Sequence, residues 1–282
     1  MTSVERLIQY KNIEPEEDTA KDKTWPSLTS IEFKNVSLRY KEDIPPALDN
    51  LSFAIAPKEK VGIVGRTGAG KTSIISALFR LVKFEGTILV GGVNINDLSL
   101  DSVRSKISII PQEPVLFSGT VRQNLDPFGR FTDGELWTVL GDLELKEFVT
   151  EFPGGLEGAI LERGANLSVG QRQLFCLARA LLRRNDILVL DEATANLDYK
   201  TDSLVQGTLK NKLVDCTVVI IAHRLYTIMD CDKVLVMEAG RTSEFGHPFK
   251  LLQNENGALY DLVSKLGTNM AKHLKEIAEK VT

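Results

Sequence analysis

The segment GRTGAGKT at residues 65–72 constrains the fold of this chain more than any other stretch. It matches the pattern G-x-x-x-x-G-K-[ST], follows the apolar run VGIV at 61–64, and precedes a helix-like segment. In that context, the glycines allow backbone N–H groups to surround phosphate oxygens at a helix N-terminus. The pattern therefore predicts a phosphate-binding loop (P-loop) in an α/β nucleotide-binding fold.

The motif assigns individual roles within this loop. Lys71 is expected to reach the β and γ phosphates, and the Thr72 hydroxyl is expected to bind Mg²⁺. The remaining residues expected to contact the nucleotide here are Gly65, Arg66, Thr67, Gly68, Ala69, Gly70 and Ser73.

Four short apolar runs predict the strands of a parallel sheet that is buried on both faces. They are VGIV at 61–64, ISII at 107–110, ILVL at 187–190 and VVII at 218–221. Alternating segments at 30–40 and 51–57, with a hairpin around Gly91-Gly92, predict an antiparallel layer. The predicted fold class is α/β, a P-loop NTPase (RecA-like) core with an antiparallel β-subdomain and an inserted α-helical subdomain.

The chain is predicted to have three parts. Residues 1–28 combine a short amphipathic piece with a charged linker, and residues 29–265 form the nucleotide-binding domain. Within it, residues from about 113 to 180 form the inserted helical subdomain, and residues 266–282 form a helical tail. One amphipathic helix near the C-terminus is predicted from apolar residues at spacings of three and four: Leu262, Leu266, Met270, Leu274, Ile277 and Val281.

Composition excludes several classes of function. A net charge of −4 and a pI near 5.6 argue against a nucleic-acid-binding protein, which would carry a basic surface. The longest apolar runs are strand-sized, well short of the ~20 residues of a membrane span. The isolated chain is therefore expected to be soluble.

Two adjacent carboxylates follow the apolar run ILVL. Asp191, at the end of a buried strand, is well placed to hold Mg²⁺ directly or through water. Glu192 could polarise the water that attacks the γ-phosphate. With the P-loop, these residues predict a nucleotidase and leave open whether it is a kinase, a GTPase or a motor.

The segment LSVGQ at 167–171 has an unexpected third residue. Its surroundings indicate a loop that presents a phosphate to a helix N-terminus, where glycine is the natural choice. Val169 is β-branched and resists the positive φ that glycine accepts. Its Cβ is expected to push against a ligand or a partner loop that glycine would allow to approach closely.

Together, these segments resemble the ATP-binding-cassette (ABC) ATPases over roughly residues 31–265. LSVGQ is similar to the signature segment of that family, and ANLD at 195–198 is similar to its D-loop. The resemblance implies three further roles. Tyr40 stacks on adenine, Gln112 is the Q-loop glutamine that helps to hold Mg²⁺, and His223 is the switch histidine that orients the γ-phosphate and the water.

Domains of this family work as head-to-tail pairs, with each ATP between the P-loop of one domain and the signature of the other. By this resemblance, Ser168, Gly170 and Gln171 act on the nucleotide of the partner domain. Lys71 and the general base Glu192 act on the nucleotide of this domain. The implied cofactors are ATP and Mg²⁺.

Within the family, the similarity is greatest to the second, C-terminal nucleotide-binding domain of subfamily C exporters, the multidrug-resistance-associated proteins. The segments that carry it are IIPQEPVLFSGTVRQNLDPF, GQRQLFCLARALLRRN, DEATANLD and IAHRLYTI. SVERLIQY at 3–10 resembles the segment that follows their last transmembrane helix.

This resemblance implies part of a multi-pass transporter at the cytoplasmic face of the plasma membrane, which exports organic anions or xenobiotics. Its implied partners are the N-terminal nucleotide-binding domain of the same transporter and the transmembrane domains with their coupling helices. No nucleic acid is implied as a partner.

In this subfamily the two ATP sites are unequal, and the C-terminal domain often combines an intact acidic pair with a non-glycine signature. Val169 with Glu192 follows that pattern, so Val169 is expected to mark the weaker site. An ATP-binding regulatory module of a subfamily C channel or receptor remains an alternative, disfavoured by Glu192 and His223. A soluble DNA-repair or translation ATPase is disfavoured because the P-loop-to-signature interval shows no heptad run and a second cassette is absent.

Overall fold

The structure is a computed structural model that describes residues 3–11, 13, 16, 24–192, 197, 199–222 and 224–280. The strands in these ranges are β1 (Ile31–Leu38), β2 (Leu48–Ile55), β3 (Lys60–Gly65), β4 (Phe84–Val90), β5 (Val93–Asn94), β6 (Ile107–Ile110), β7 (Gly119–Thr120), β8 (Ala159–Ile160), β9 (Ile187–Asp191), β10 (Thr217–Ile221), β11 (Lys233–Glu238) and β12 (Arg241–Gly246). The helices are α1 (Ser3–Lys11), α2 (Lys71–Leu78), α3 (Leu100–Lys106), α4 (Val121–Leu125), α5 (Asp133–Asp142), α6 (Lys146–Glu151), α7 (Val169–Arg183), α8 (Tyr199–Lys212), α9 (Pro248–Leu251), α10 (Ala258–Ser264) and α11 (Thr268–Glu279).

The central sheet has the strand order β12-β11-β3-β10-β9-β6. The strands from β11 to β6 are parallel, whereas β12 is antiparallel to β11. Alternate side chains of β9 enter different cores: Ile187 and Val189 face the cluster under the antiparallel layer, and Leu188 and Leu190 face the helical subdomain. Burial on both faces explains the continuous apolar runs, and the four predicted strands are confirmed.

The second sheet is antiparallel, with the order β2-β1-β4-β5. Val90 pairs with Val93 across a two-residue turn in which Gly91 (φ 54°) and Gly92 (φ 80°) both have positive φ. This is the geometry that favours glycine in tight hairpins, and it confirms the predicted hairpin.

The segment between β6 and β9 contains helices α4 to α7 and the two-stranded ribbon of β7 and β8. Capping boxes begin three of these helices, at Thr120, Thr132 and Ser168. Apolar side chains such as Leu140 and Phe175 pack here against the face of the central sheet that β9 presents. The inserted helical subdomain of the predicted fold class is therefore present.

The predicted single helix near the C-terminus is wrong. Helix α10 ends at Ser264, α11 begins at Thr268, and Gly267 between them has φ 89°. Leu266 and Met270 are about half exposed, whereas Leu274 is buried against α9 and α10. The apolar spacing of three and four residues continues across this break. The prediction failed because that spacing does not show which backbone conformation a glycine adopts. Val281 lies outside the described residues.

Two further features differ from the sequence analysis. Strands β11 and β12 were not predicted, and Trp25 packs against the first core cluster although it lies within the predicted linker. The packed part of the chain thus reaches back beyond residue 29, and the other domain boundaries remain predictions. None of the helices in the described ranges is long and apolar enough to cross a membrane.

Candidate functional site

The predicted site residues lie where the parallel strands end. Ile221 on β10 is in register with Ile63 on β3 and with Asp191 on β9, and Ile110 on β6 is in register with Leu190. The carboxyl ends of parallel strands form one edge of a sheet. The segments that follow β3, β6 and β9, which carry the P-loop, Gln112 and Glu192, therefore share this edge.

The P-loop connects β3 to α2, and its backbone carbonyl groups bind the amine of its own lysine. Gly70 is the N-cap of α2, and the Nζ atom of the buried Lys71 donates hydrogen bonds to the carbonyl oxygens of Gly65 (2.9 Å) and Arg66 (3.3 Å). Burial lowers the pKa of the Lys71 amine, while the carboxylates of Glu192 and Asp191 oppose that shift. The lysine is thus held between the loop backbone and the acidic pair.

Neighbouring backbone explains why the loop needs glycine at two of its positions. A Cβ atom at Gly65 would lie 2.4 Å from the carbonyl oxygen of Met237, and one at Gly70 would lie 2.3 Å from that of Ala47. The turn between β11 and β12 also supports the loop, because the Gly240 N–H donates to the carbonyl of Ala69 (3.1 Å). This support was missed from the sequence, where Gly240 shortly after the apolar run VLVM at 234–237 is a detectable turn signal.

Replacing Gly70 with alanine is expected to reduce the free energy of unfolding by about 3 kcal/mol. The substitution combines a φ of 96° with the overlap on the Ala47 carbonyl. Gly68→Ala is the matched control, because Gly68 has φ 81° but open space around its Cβ position, and a loss of about 1 kcal/mol is expected. Urea unfolding of both variants tests this, and equal losses would show that the backbone contact has no effect.

Tyr40 follows β1 and lies beside the P-loop helix. Its hydroxyl is 3.2 Å from the Oγ atom of Ser73 and 3.3 Å from that of Ser76, while the residue is 49% exposed. The exposed ring is therefore fixed next to the start of α2. That position fits the predicted stacking on adenine, which remains a prediction.

Glu192 and Gln112 are joined at the ends of β9 and β6. The Nε2 atom of Gln112 donates to the Oε2 atom of Glu192 (2.8 Å), and the Glu192 N–H donates to the carbonyl of Ile221 (2.9 Å). Glu192 has φ 50°, a left-handed conformation that costs on the order of 1–3 kcal/mol in a residue other than glycine. Such strained residues concentrate at functional sites, so this geometry favours a chemical role for the carboxylate.

Two predicted elements cannot be placed. His223 and residues 195, 196 and 198 of the D-loop lie outside the described residues. The segments beside them are connected: the Tyr226 hydroxyl donates a hydrogen bond to the buried carboxylate of Asp202 on α8, and Arg224 lies 3.7 Å from the same carboxylate. This connection was not predicted from the sequence.

The signature residues lie at the start of α7, in the helical subdomain. Ser168 is the N-cap, and its Oγ atom accepts a hydrogen bond from the Gln171 N–H (3.1 Å). Val169 is the first helical residue and has no positive φ, so the expectation that the backbone demands glycine there is wrong. The other expectation, that the branched Cβ of Val169 hinders close approach of a ligand or a partner loop, remains a prediction.

The signature helix contacts the Q-loop directly. Gln173, only 2% exposed, donates from Nε2 to the carbonyl of Pro111 (3.2 Å), one residue before Gln112. Val169 is 41% exposed and lines a groove with Gln112 and Val115. A glutamine among the apolar residues of α7 was the available sequence signal for this connection, which was not predicted.

The profile of the ABC transporter family matches residues 48–195, which is more than half of the 282 residues. The chain belongs to the ABC transporter family. It is an ATP-binding domain of the ATPase type that defines this family, and the predicted fold class is confirmed.

Individual relatives support the subfamily. The chain is 51% identical to the probable multidrug resistance-associated protein lethal(2)03659 of Drosophila melanogaster, over 99% of this chain and 21% of that protein. It is 49% identical to ATP-binding cassette sub-family C member 4 of Homo sapiens, over 100% of this chain and 22% of that protein. The chain thus spans about a fifth of the length of these relatives.

A solved structure shows the same architecture. A bacterial Atm1-family ABC exporter with ATP bound superimposes with a TM-score of 0.87 at 31% sequence identity. The similarity covers 94% of this chain and 46% of the exporter chain. The domain of subfamily C type described here therefore has the fold of an exporter's ATP-binding domain.

Proposed function

We propose that this chain is the second nucleotide-binding domain of a subfamily C exporter, which couples Mg-ATP binding and hydrolysis to the efflux of organic anions or xenobiotics. The observation that carries the proposal is the strained Glu192 at the end of β9, hydrogen-bonded to Gln112 beside the P-loop. A carboxylate at this place is the general base that hydrolysis requires. Sequence identity near 50% to subfamily C proteins over almost the whole chain supports the assignment to an exporter.

The oxygen atoms at this sheet edge fit Mg²⁺. Thr72 provides a hydroxyl in the first turn of α2, and Asp191 provides a carboxylate at the end of β9. The Gln112 amide donates to Glu192 through its nitrogen, so its oxygen is available as a ligand. Mg²⁺ prefers one or two such ligands together with substrate phosphates, and when bound it neutralises charge on the β and γ phosphates.

The side chains of this domain divide the work on its own ATP. Tyr40 holds the adenine, and Lys71 with the loop residues 65–73 holds the phosphates. Glu192 accepts the proton of the attacking water, and His223 orients that water and the γ-phosphate. The hydrogen bond from Gln112 fixes the orientation of the Glu192 carboxylate.

The signature residues complete the ATP site of a partner domain, which we assign to the N-terminal nucleotide-binding domain of the same transporter. The Ser168 oxygen accepts from Gln171, so its O–H group can donate to a phosphate. By helix geometry, the first N–H groups of α7, at Val169 and Gly170, lack acceptors within the helix. The start of this 15-residue helix is thus suited to bind the γ-phosphate of the partner's nucleotide.

The transmembrane domains and their coupling helices are the remaining partners, and we place their contact at the groove between the Q-loop and α7. Val115 (64% exposed) and Phe117 (42% exposed) present apolar surface beside it. Gln112 belongs to both this groove and the nucleotide site, so a bound coupling helix would be linked to the Mg²⁺ ligands. We infer that the domain lies at the cytoplasmic face of the plasma membrane, where such a contact with the transmembrane domains can form.

Replacing Val169 with glycine in the assembled pair of domains is expected to raise ATP turnover at the partner-side site about three- to tenfold. Removing the Cβ branch allows closer approach of the partner's nucleotide, and Ser168 and Gly170 keep their donors. Single-turnover hydrolysis by the pair is the measurement, with the chain alone as the baseline. Low turnover by the chain alone is expected because its own site lacks the partner's signature.

Two controls accompany this measurement. Val169→Ala removes the branch without glycine's lower helix propensity, and Val214→Gly changes an exposed valine outside the signature. Unchanged turnover at the partner-side site would contradict the role of Val169. Fast turnover by the chain alone, independent of its concentration, would contradict the proposed pairing.

A further inference from the structure

One residue of the P-loop is paired with a residue of the C-terminal helices. The Nη2 atom of Arg66 lies 3.7 Å from the Oδ2 atom of Asp261 on α10. The Arg66 side chain is 71% exposed, so it has room to change its partner. None of the side-chain roles proposed above involves this ion pair, which connects the nucleotide site to α10.

Asp261 is carried by a helix that is fixed to the core. Leu259 and Val263, on either side of it in α10, are buried, and the Leu259 N–H donates to the Oε2 atom of Glu244 on β12 (2.9 Å). The backbone of Asp261 therefore has a defined position beside the P-loop. Of the two partners, the arginine is the one that can leave.

A second cation competes for the same carboxylate oxygen. The Nζ atom of Lys265, four residues later, lies 2.5 Å from the Oδ2 atom of Asp261. This closer contact weakens the pair with Arg66, and solvent weakens ion pairs between exposed side chains further. The strength of the pair between Arg66 and Asp261 therefore depends on Lys265.

The backbone of Arg66 takes part in the closure of the P-loop. Its carbonyl oxygen accepts hydrogen bonds from the Nζ atom of Lys71 (3.3 Å) and from the Ala69 N–H (3.0 Å). When ATP binds, Lys71 must turn from the loop carbonyl groups towards the β and γ phosphates. A contact that stabilises the closed loop more than the occupied loop therefore opposes ATP binding.

We propose that Asp261 is a positioning residue of the nucleotide site, which holds Arg66, stabilises the closed P-loop and thereby opposes ATP binding. The phosphates of ATP bring several negative charges to the loop, and these attract the exposed guanidinium away from the carboxylate. Lys265 then remains as the partner of Asp261. This role rests on ATP binding at the P-loop and is independent of hydrolysis and transport.

The packing of α10 gives this role a consequence. Leu259 and Val263 belong to one apolar cluster with Leu274 and Ala278 of α11. A displacement of these C-terminal helices would move Asp261 relative to Arg66. The affinity of the P-loop for ATP is therefore coupled to the packing of α10 and α11, and by linkage bound ATP weakens the restraint on α10.

Removing the carboxylate tests the direction of the effect. Asp261→Asn is expected to bind Mg-ATP about two- to threefold more tightly at 50 mM salt, a change typical of an exposed ion pair. The measurement is calorimetric titration of the full chain. The gain is expected to shrink at 300 mM salt, because salt screens exposed charges. Glu276→Gln, at an exposed position on α11, is the control for loss of one negative charge.

A double-mutant cycle tests whether the effect passes through Arg66. In the Arg66→Gln background, Asp261→Asn is expected to leave the affinity for Mg-ATP unchanged, whatever effect Arg66→Gln has by itself. A direct repulsion between the carboxylate and the phosphates would instead persist in that background.

Lys265 provides a test of opposite sign. Lys265→Met leaves Asp261 to Arg66 alone, so this variant is expected to bind Mg-ATP about twofold more weakly. Lys272→Met, at an exposed position on α11, is the matched control for loss of one positive charge. Thermal unfolding verifies that every variant keeps the fold.

Three results would overturn the proposal. They are equal affinity of Asp261→Asn and the unmodified chain, an equal gain from Asp261→Asn with and without Arg66, or no weakening by Lys265→Met beyond that of Lys272→Met. Failure of Glu192 as the general base would change turnover but none of these affinities, so this proposal and the proposed function can fail separately.

Discussion

Replacing Glu192 with glutamine is expected to lower the rate of ATP hydrolysis by about 10²–10⁴-fold while ATP binding is retained. The glutamine keeps the size of the side chain and can still accept the hydrogen bond from the Nε2 atom of Gln112. It cannot accept the proton of the attacking water. The expected effect is therefore confined to chemistry, with the geometry of the strand end preserved.

Single-turnover hydrolysis in the pair of domains, with ATP binding measured at equilibrium, separates these two effects. Glu255→Gln, which neutralises an exposed carboxylate in the loop before α10, is the control and should leave both quantities unchanged. Full turnover in the Glu192→Gln domain would exclude Glu192 as the general base. Absence of hydrolysis in the unmodified pair, with ATP binding retained, would instead favour the alternative of an ATP-binding regulatory module.

Replacing Lys71 with methionine is expected to weaken ATP binding at least tenfold and to lower turnover by about 10²–10³-fold. The amine is the buried cation that the P-loop places between its own carbonyls and the acidic pair. Methionine fills a similar volume without the charge. Lys250→Met, at an exposed position on α9, is the control for loss of one positive charge.

The stability of the same Lys71→Met variant separates binding from folding. Burial lowers the pKa of Lys71 in the folded state, so at a pH below that folded value the protonated amine costs stability. The cost disappears as the pH rises from the folded to the unfolded pKa. We therefore expect no loss of unfolding free energy for Lys71→Met at pH 7 without nucleotide. A large loss would mean that its ATP-binding defect reflects unfolding.

Local sequence predicted much of this domain. The four apolar runs became the parallel strands β3, β6, β9 and β10, and the pair Gly91-Gly92 became a hairpin turn. These features are local because a strand buried on both faces needs continuous apolar residues, and a tight turn needs residues that accept positive φ.

Other features required contacts between distant residues. The Gln173 side chain reaches Pro111 across 62 positions, and Arg104 reaches Glu16 across 88 positions. The apolar pattern near the C-terminus predicted a continuous helix, but Gly267 ends it. At Val169, the expected preference for glycine was wrong in its reason. The residue is the first of helix α7, so its backbone does not need a positive φ.

The sequence by itself determined the chemistry of this protein. The P-loop, the acidic pair and the signature identify an ATP-binding domain because phosphate, Mg²⁺ and a helix N-terminus each require particular residue types at fixed short spacing. The tertiary structure alone decided which of these groups meet. Gln112 and Glu192 are 80 positions apart in the chain and 2.8 Å apart between side-chain atoms. Strand order and register produce that contact, and both depend on packing across the whole domain.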